Sequence, residues 1–383
     1  MNVNQFLSII NLTLRKHKPL IPQKLNYTIC GDQRLTELWF KSKGCRNSAN
    51  GSCTFCDYWH STNHNSNEIA QFLDEAFKSL KYEPEVLLVN TSGSILDTWQ
   101  VPVEAQKILI NNLSRYVKTH IILETHLDTL SEDIISLYKS RLNNNLSIEV
   151  GVESSNNWVL KYSLNKSFEK NAIEKKITLL KNNNIEPIAN ILVGAPLLSL
   201  PDMINDTIDS IEWAFDIGFE SCVIFPINIK KWTLTNWMYE NKLYKQPSLW
   251  AFIEVLNKIP SHFLEMIEIA WYKEREYYNP AYTDIDISPT TCPKCYSEVI
   301  YLLNQYKSDY SLRTMVLDEL NMIKCDCKNE FYDELNQNYK KEIDLLDTYK
   351  FIAENILGYE WWCINKESIS KDVESYYRER SSL

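Results

Sequence analysis

Two kinds of hydrophobic pattern alternate through the middle of the chain. Short, almost continuously apolar runs occur at residues 85–89 (EVLLV), 119–124 (THIILE), 146–152 (LSIEVGV), 187–193 (PIANILV) and 221–227 (SCVIFPI), with the length and β-branched content of buried strands. Between them, residues 68–81, 103–116, 132–141, 170–182 and 204–217 repeat their apolar positions at the period of a helix with one buried face. A further strand is expected at 35–41, which brings the count to about six β/α units, and the asparagine runs at 143–145 and 182–184 read as polar turns. Such alternation implies βαβ crossovers and a parallel sheet covered by helices, either doubly wound or curled into a partial barrel. In both, the loops at the carboxyl ends of the strands carry the chemistry. After about Leu256 the alternation stops, and a helical stretch rich in Tyr and Trp takes over. The chain thus divides into an N-terminal extension (1–30), an α/β domain (31–259) and a C-terminal lobe (260–383).

Composition narrows the classes. With 44% hydrophobic and 23% charged residues, the 383-residue chain can build a substantial core, which excludes a disordered protein. Its net charge of −10 offers no general attraction for a polyanion, so any nucleic-acid contact must be a local patch. No run approaches the ~20 apolar residues of a membrane span. The apolar stretch at 6–10 precedes its charges, Arg15, Lys16 and Lys18, which is the reverse of a secretory signal. A soluble, cytoplasmic protein with no membrane contact is expected. In the second half, Trp232, Trp237, Tyr244, Trp250, Trp271, Tyr272, Tyr277, Tyr278, Trp361 and Trp362 interleave with Lys230, Lys231, Lys242, Lys245, Lys273 and Arg275. Rings and cations so mixed can stack on bases and contact phosphates, and a packed core beneath a charged surface gives the same pattern.

The cysteines change the picture most. Seven of the ten fall in two tight groups of a large chain without an export signal, where grouped thiols bind metal more often than they pair as disulfides. Cys45, Cys53 and Cys56 form a C-x7-C-x2-C loop after the first strand of the alternating region. Three thiolates can hold three irons of a four-iron, four-sulfur cluster and leave the fourth without a protein ligand. Such an iron can take the amino and carboxylate groups of S-adenosylmethionine (SAM) and pass one electron to its sulfonium, splitting a carbon–sulfur bond. A zinc site completed by His60 or His64 is the competing reading. The second group, Cys292, Cys295, Cys325 and Cys327, has four thiols and no open position, as a structural zinc ion needs, with a second iron–sulfur cluster as the alternative. Cys30, Cys222 and Cys363 read as small core residues.

At the first cysteine loop the sequence resembles the radical SAM superfamily, in which an aromatic residue precedes the last cysteine; Phe55 stands there. More narrowly, it resembles the archaeosine-forming radical SAM proteins, relatives of the Elongator catalytic subunit that act on a modified 7-deazaguanine in tRNA. The likeness runs through Gly44-Cys45-Arg46, Cys53-Thr54-Phe55-Cys56, residues 91–97 (TSGSILD) with Val101-Pro102, and Gly151-Val152-Glu153. It continues through 225–229 (FPINI), 247–250 (PSLW) and 253–256 (IEVL), in consistent order over residues 40–260. The resemblance implies a partial (β/α)6 barrel with a helical, Cys-rich C-terminal lobe, and an enzyme that cleaves SAM reductively. It implies Phe55 against the adenine and Thr91, Ser92 and Gly93 at the amino-acid end of SAM. Glu153 and Glu124, at strand ends, then accept hydrogen bonds from the ribose hydroxyls or amino group. An external one-electron donor of flavodoxin or ferredoxin type and a tRNA substrate follow from the same likeness. A peptide or small natural product is the alternative substrate, and a non-catalytic zinc scaffold the alternative class. Asp57, Trp59 and Trp99 depart from the family pattern near the mouth of the site.

Overall fold

The computed structural model describes residues 1–18, 25–59, 64–142, 146–166, 168–273, 285–337 and 344–381. His60, Arg275, Tyr277, Tyr278 and the expected turn at 143–145 lie outside them. One sheet of eight strands dominates. An edge strand, β1 (Tyr27–Gly31), pairs antiparallel with β2 (Leu35–Phe40). The sheet then runs parallel through β3 (Val86–Thr91), β4 (His120–Thr125), β5 (Leu146–Glu153), β6 (Glu186–Val193) and β7 (Ser221–Pro226). A short pair, β8 (Ile229–Lys230) with a later strand at Ile285–Ile287, stands apart, and β9 (Ile267–Ile269) closes the main sheet beside β7. All six strands read from the sequence form in the expected order, and β1 and β9 are additions to them. The last lies beyond residue 259, so the sheet reaches past the point where the alternating pattern fades.

The strands are two-faced, and this explains the curl. Leu38, Leu87, Leu123, Ile148, Ala189 and Ile224 point outward into one core with the crossover helices. Each such side chain contributes about 1.5–3 kcal/mol by leaving water. The helices supplying that core are α3 (Ser66–Lys78), α4 (Val103–Leu113), α5 (Glu132–Lys139), α6 (Lys170–Asn182) and α7 (Leu200–Asp216), following α1 (Val3–Arg15) and the short α2 (Arg46–Ala49). The opposite, inner face carries Glu37, Asn90, Glu124, Glu149 and Asn190. Local signals fix where helices start: Asn65 accepts from the backbone of Asn67 and Glu68 while Glu68 returns a bond to Asn65, a capping box at α3.

The C-terminal part is helical: α8 (Leu234–Glu240), α9 (Leu249–Lys258), α10 (Tyr296–Ser308), α11 (Arg313–Met322), α12 (Asp326–Gln337), α13 (Leu345–Ile356) and α14 (Tyr359–Ser381). Together with the curled sheet this is the expected α/β partial barrel with a Cys-rich helical lobe. A second core joins α1 to α13 and α14 through Phe6, Leu7, Ile10, Tyr162, Tyr349 and Ile369. Asp372 ties the ends together, accepting from the backbone of Val3 at 2.8 Å and from Lys161 at 2.9 Å. Of the three remaining cysteines only Cys222 is a core residue; Cys30 on the edge strand and Cys363 on α14 are exposed, contrary to their reading from sequence. Among the described residues no helix is long and apolar enough to cross a membrane.

Candidate cysteine-cluster site

The chain leaves β2 at Phe40 and enters the cysteine loop at the carboxyl edge of the barrel. Cys45 and Cys53 are buried and Cys56 partly so. Cys45 caps α2, its sulfur accepting from the Ser48 N–H at 3.5 Å, and the Cys56 sulfur accepts from the Tyr58 N–H at 3.5 Å. Burial pushes the Cys53 thiol up to about 11 and that of Cys56 to about 12, and raises Cys45 as well. Three thiols for which ionisation is costly need cations, and the protein brings three. The charge of Lys166 acts on Cys53, that of Lys230 on Cys56, and that of Arg15 on all three.

Lys166 donates to Glu153 Oε1 at 2.8 Å with both side chains almost fully buried. Burial alone would lower the lysine, but the Cys53 and Glu153 charges hold it above the ordinary range. Lys230 pairs with the buried Asp57 at 3.3 Å and lies 4.8 Å from the Tyr58 ring centroid. Asp57 is thus an anchor inside the loop, whereas Trp99 is exposed at the mouth. Trp59 lies under the Arg15 guanidinium at 5.3 Å. His64 is engaged by Glu68 at the start of α3, at 3.3 Å.

The loop is strapped from outside by α1. Asn4, Ser8, Asn11 and Arg15 form one polar stripe on that helix: Asn4 and Ser8 bond Asn165, Asn11 donates to the Gly51 carbonyl at 2.7 Å, and Arg15 donates to the Ser48 and Ser52 carbonyls. Gly51 has φ +91°, and a Cβ there would stand 2.6 Å from the Ser8 carbonyl oxygen, so only glycine permits this approach. From the inner side, the backbones of Cys53 and Thr54 donate to Asn165 and Leu164. Cys53 and Glu153 hold φ +62° and +68°, left-handed conformations that cost non-glycine residues about 1–3 kcal/mol and gather at functional sites.

The turn after β3 completes the rim. Gly93, at φ +134°, leaves no room for a Cβ, which would meet Gln100 at 2.7 Å and the Cys45 Cβ at 2.8 Å. Gln100, fully buried, donates to Ser42 and the Ser92 carbonyl and accepts from the Ser94 N–H. Thr91 donates its hydroxyl to the Phe40 carbonyl at 2.8 Å, while the buried Ser92 hydroxyl and Glu153 Oε2 have no hydrogen-bond partner. Phe55 is partly buried against the second core. Glu124 stands inside the barrel; burial and then the neighbouring Glu149 hold its carboxyl well above the usual range. Lys166, Lys230, Arg15 and Gln100 were not legible as site residues, although Asn11 and Arg15 on the apolar side of α1 were a signal that this face meets something polar.

The second cysteine group assembles as expected. The sulfurs of Cys292, Cys295, Cys325 and Cys327 all lie within 4.8 Å of one another, and Trp250 donates its indole N–H to Cys327 at 3.2 Å. Of the aromatic set, Tyr244, Trp250, Tyr272 and Trp362 are core.

The fold and site define a partial β/α-barrel protein with a three-thiol loop at its carboxyl rim. No protein-family model matches the chain. It is 26% identical over 303 residues to the archaeosine synthase subunit beta of Methanosarcina acetivorans, covering 76% of this chain and 81% of that one. It is 23% identical over 325 residues to an uncharacterized protein of Methanocaldococcus jannaschii, covering 82% and 85%. Among solved structures it resembles the Elp3 protein of Methanocaldococcus infernus (TM-score 0.46, 15% identity), covering 66% of this chain and 59% of that one, less than two thirds of its length. Radical S-adenosylmethionine enzymes are among the further solved structures, at lower TM-scores. The likeness to the archaeosine synthase subunit is consistent with the resemblance read from the sequence.

Proposed function

We propose that this chain is a radical SAM enzyme, in which Cys45, Cys53 and Cys56 hold a four-iron, four-sulfur cluster with one iron open to SAM. The observation that carries the reading is the site itself: two buried thiols and one half-buried thiol on the carboxyl rim, acted on by the charges of Arg15, Lys166 and Lys230 and flanked by two unpartnered polar groups, Ser92 Oγ and Glu153 Oε2. Zinc suits it less well. A single tetrahedral ion draws its thiolates to within about 4 Å of one another, and among the described residues the group gathered within 4.8 Å is the C-terminal one, not this one. When bound, the cluster supplies the single electron that splits a carbon–sulfur bond of SAM and starts hydrogen abstraction from a substrate.

The chain's own residues position and shield. The Thr91–Gly93 turn offers hydroxyls and closely approachable backbone to the amino-acid end of SAM, Phe55 a ring for the adenine, and the free Glu153 oxygen an acceptor for a ribose hydroxyl. Lys166 pairs with Glu153 in a buried setting. The α1 strap closes the loop on its outer side, which keeps water from the sulfurs.

For the substrate, the sequence resemblance and the likeness to an archaeosine synthase subunit support a 7-deazaguanine-modified tRNA and a partner subunit; the flavodoxin- or ferredoxin-type electron donor rests on the sequence resemblance alone. The C-terminal thiols are assigned to a structural zinc ion, because four sulfurs and an indole donor leave no open position. Reconstituted protein incubated anaerobically with dithionite and SAM should release methionine and a deoxyadenosine fragment by mass spectrometry; unconsumed SAM would overturn the enzyme reading. Binding to tRNA should weaken steeply with salt as counterions are released, and a flat response would remove tRNA as the substrate.

A further inference from the structure

The charge of the chain is unevenly placed. Residues 1–56 hold eight Lys and Arg against two Asp and Glu, while residues 57–383 hold 32 against 48, so an acidic body carries a basic start. Residues 1–31 and 38–56, which include α1 and the cysteine loop, contain no acid. The fold brings α1 and the loop together. Arg15 donates to the Ser48 and Ser52 carbonyls, and its guanidinium carbon lies 5.3 Å from the centroid of the Trp59 ring. Lys18 brings its ammonium to 5.4 Å from the same ring, and Lys16 and His17 are exposed. Two like charges are thus gathered on one half-buried indole. The α1 dipole favours a cation at this helix end, but it accounts neither for the ring that collects two of them nor for the acid-free loop beside it.

A concentrated positive face on a molecule of net charge −10 costs self-repulsion and draws in an anionic partner. Under the proposed function two anionic partners meet this chain, the tRNA and a one-electron carrier, and position separates them. α1 straps the loop on its outer side, whereas the unpartnered Ser92 Oγ and Glu153 Oε2 belong to the strand ends and turns at the barrel mouth. The substrate must stand at the mouth when the electron arrives, so the carrier needs the other side. We infer that Arg15, Lys16, Lys18 and Trp59 form the docking face for an acidic one-electron carrier protein. The carrier is oxidised by one electron and the cluster held by Cys45, Cys53 and Cys56 is reduced by one, with no bond made or broken. The electron's destination rests on the proposed function; the affinity of this face for an acidic protein does not.

Full-length protein carrying its metals, mixed with purified flavodoxin in stopped-flow binding measurements, tests the face. Association should slow steeply as salt is raised, and Lys16→Glu with Lys18→Glu should slow it about tenfold or more at low salt, where electrostatic steering is strongest. Lys16→Arg with Lys18→Arg, which keeps both charges, should bind as the parent does. SAM cleavage driven by dithionite, which needs no docking face, should keep its parental rate in the glutamate variant, and tRNA affinity should be unaltered. Unchanged flavodoxin association in the glutamate variant, or no association in the parent, would overturn the face. So would a matching loss of tRNA affinity, which would mark these cations as phosphate contacts. Charge-dependent flavodoxin binding with no SAM cleavage would sink the enzyme reading alone, and SAM cleavage with charge-independent flavodoxin binding would sink the docking face alone.

Discussion

Lys166 is the residue on which most of the site's electrostatics converge. It neutralises Glu153 at 2.8 Å and faces Cys53, with its side chain 5% exposed. Removing one partner of a buried pair strands the other, at a cost of about 3–5 kcal/mol. Lys166→Met should therefore lower the unfolding free energy by that order in urea denaturation, and adding Glu153→Gln should recover most of it; no recovery would mean the pair is not the cause. Because the folded pKa of Lys166 is raised, its contribution is complete below the ordinary lysine value of about 10.4 and fades only as pH rises through the folded one. Cys53→Ala, in contrast, should abolish SAM cleavage and lower bound iron while leaving the melting temperature of the metal-free protein within a few degrees, checked by calorimetry.

At the scale of elements, the strands and crossover helices were legible because their burial leaves a hydrophobic period that few other structures produce. What could not be read was which second face each strand shows. Runs such as THIILE and LSIEVGV look continuously apolar, yet Glu124 and Glu149 sit on the inner face and give the barrel a polar interior. The edge strand β1 and the three-residue β9 were missed because strands so short carry too little periodicity. The role of α1 was hidden for another reason: its polar stripe finds partners more than thirty residues away, at Gly51, Ser48 and Asn165. Two outcomes belong here. Gly51→Ala should push α1 off the loop, given a 2.6 Å clash at positive φ, and hasten iron loss to a chelator. Glu149→Gln should stabilise the protein at pH 8 by about 1–3 kcal/mol and hardly at all near pH 4. The folded Glu149 carboxyl titrates near 7, above its value in the unfolded chain, so the cost of its charge builds up between the two values and is complete above 7. A gain equal at both pH values would show that the ionised carboxylate is not the burden.

Seen as a whole, the molecule brings its two ends together behind the cysteine loop: α1, α13 and α14 share one core, and Asp372 of α14 holds the start of α1. The four-thiol group holds the other flank, joining the turn before α10 to the start of α12. Cys295→Ser should release about one zinc equivalent per chain, measured by mass spectrometry of bound metal, and lower the melting temperature; full zinc retention would contradict the assignment. The hydrogen bonds from α1 to the Gly51, Ser48 and Ser52 carbonyls hold the cysteine loop, with its left-handed Cys53, in place. The most direct measurement is Mössbauer spectroscopy of anaerobically reconstituted, iron-57-enriched protein with and without SAM. The expected result is a four-iron cluster in which one iron site of the four changes its signal when SAM is added. A protein that takes up only zinc at these cysteines, or a cluster indifferent to SAM, would contradict the central assignment.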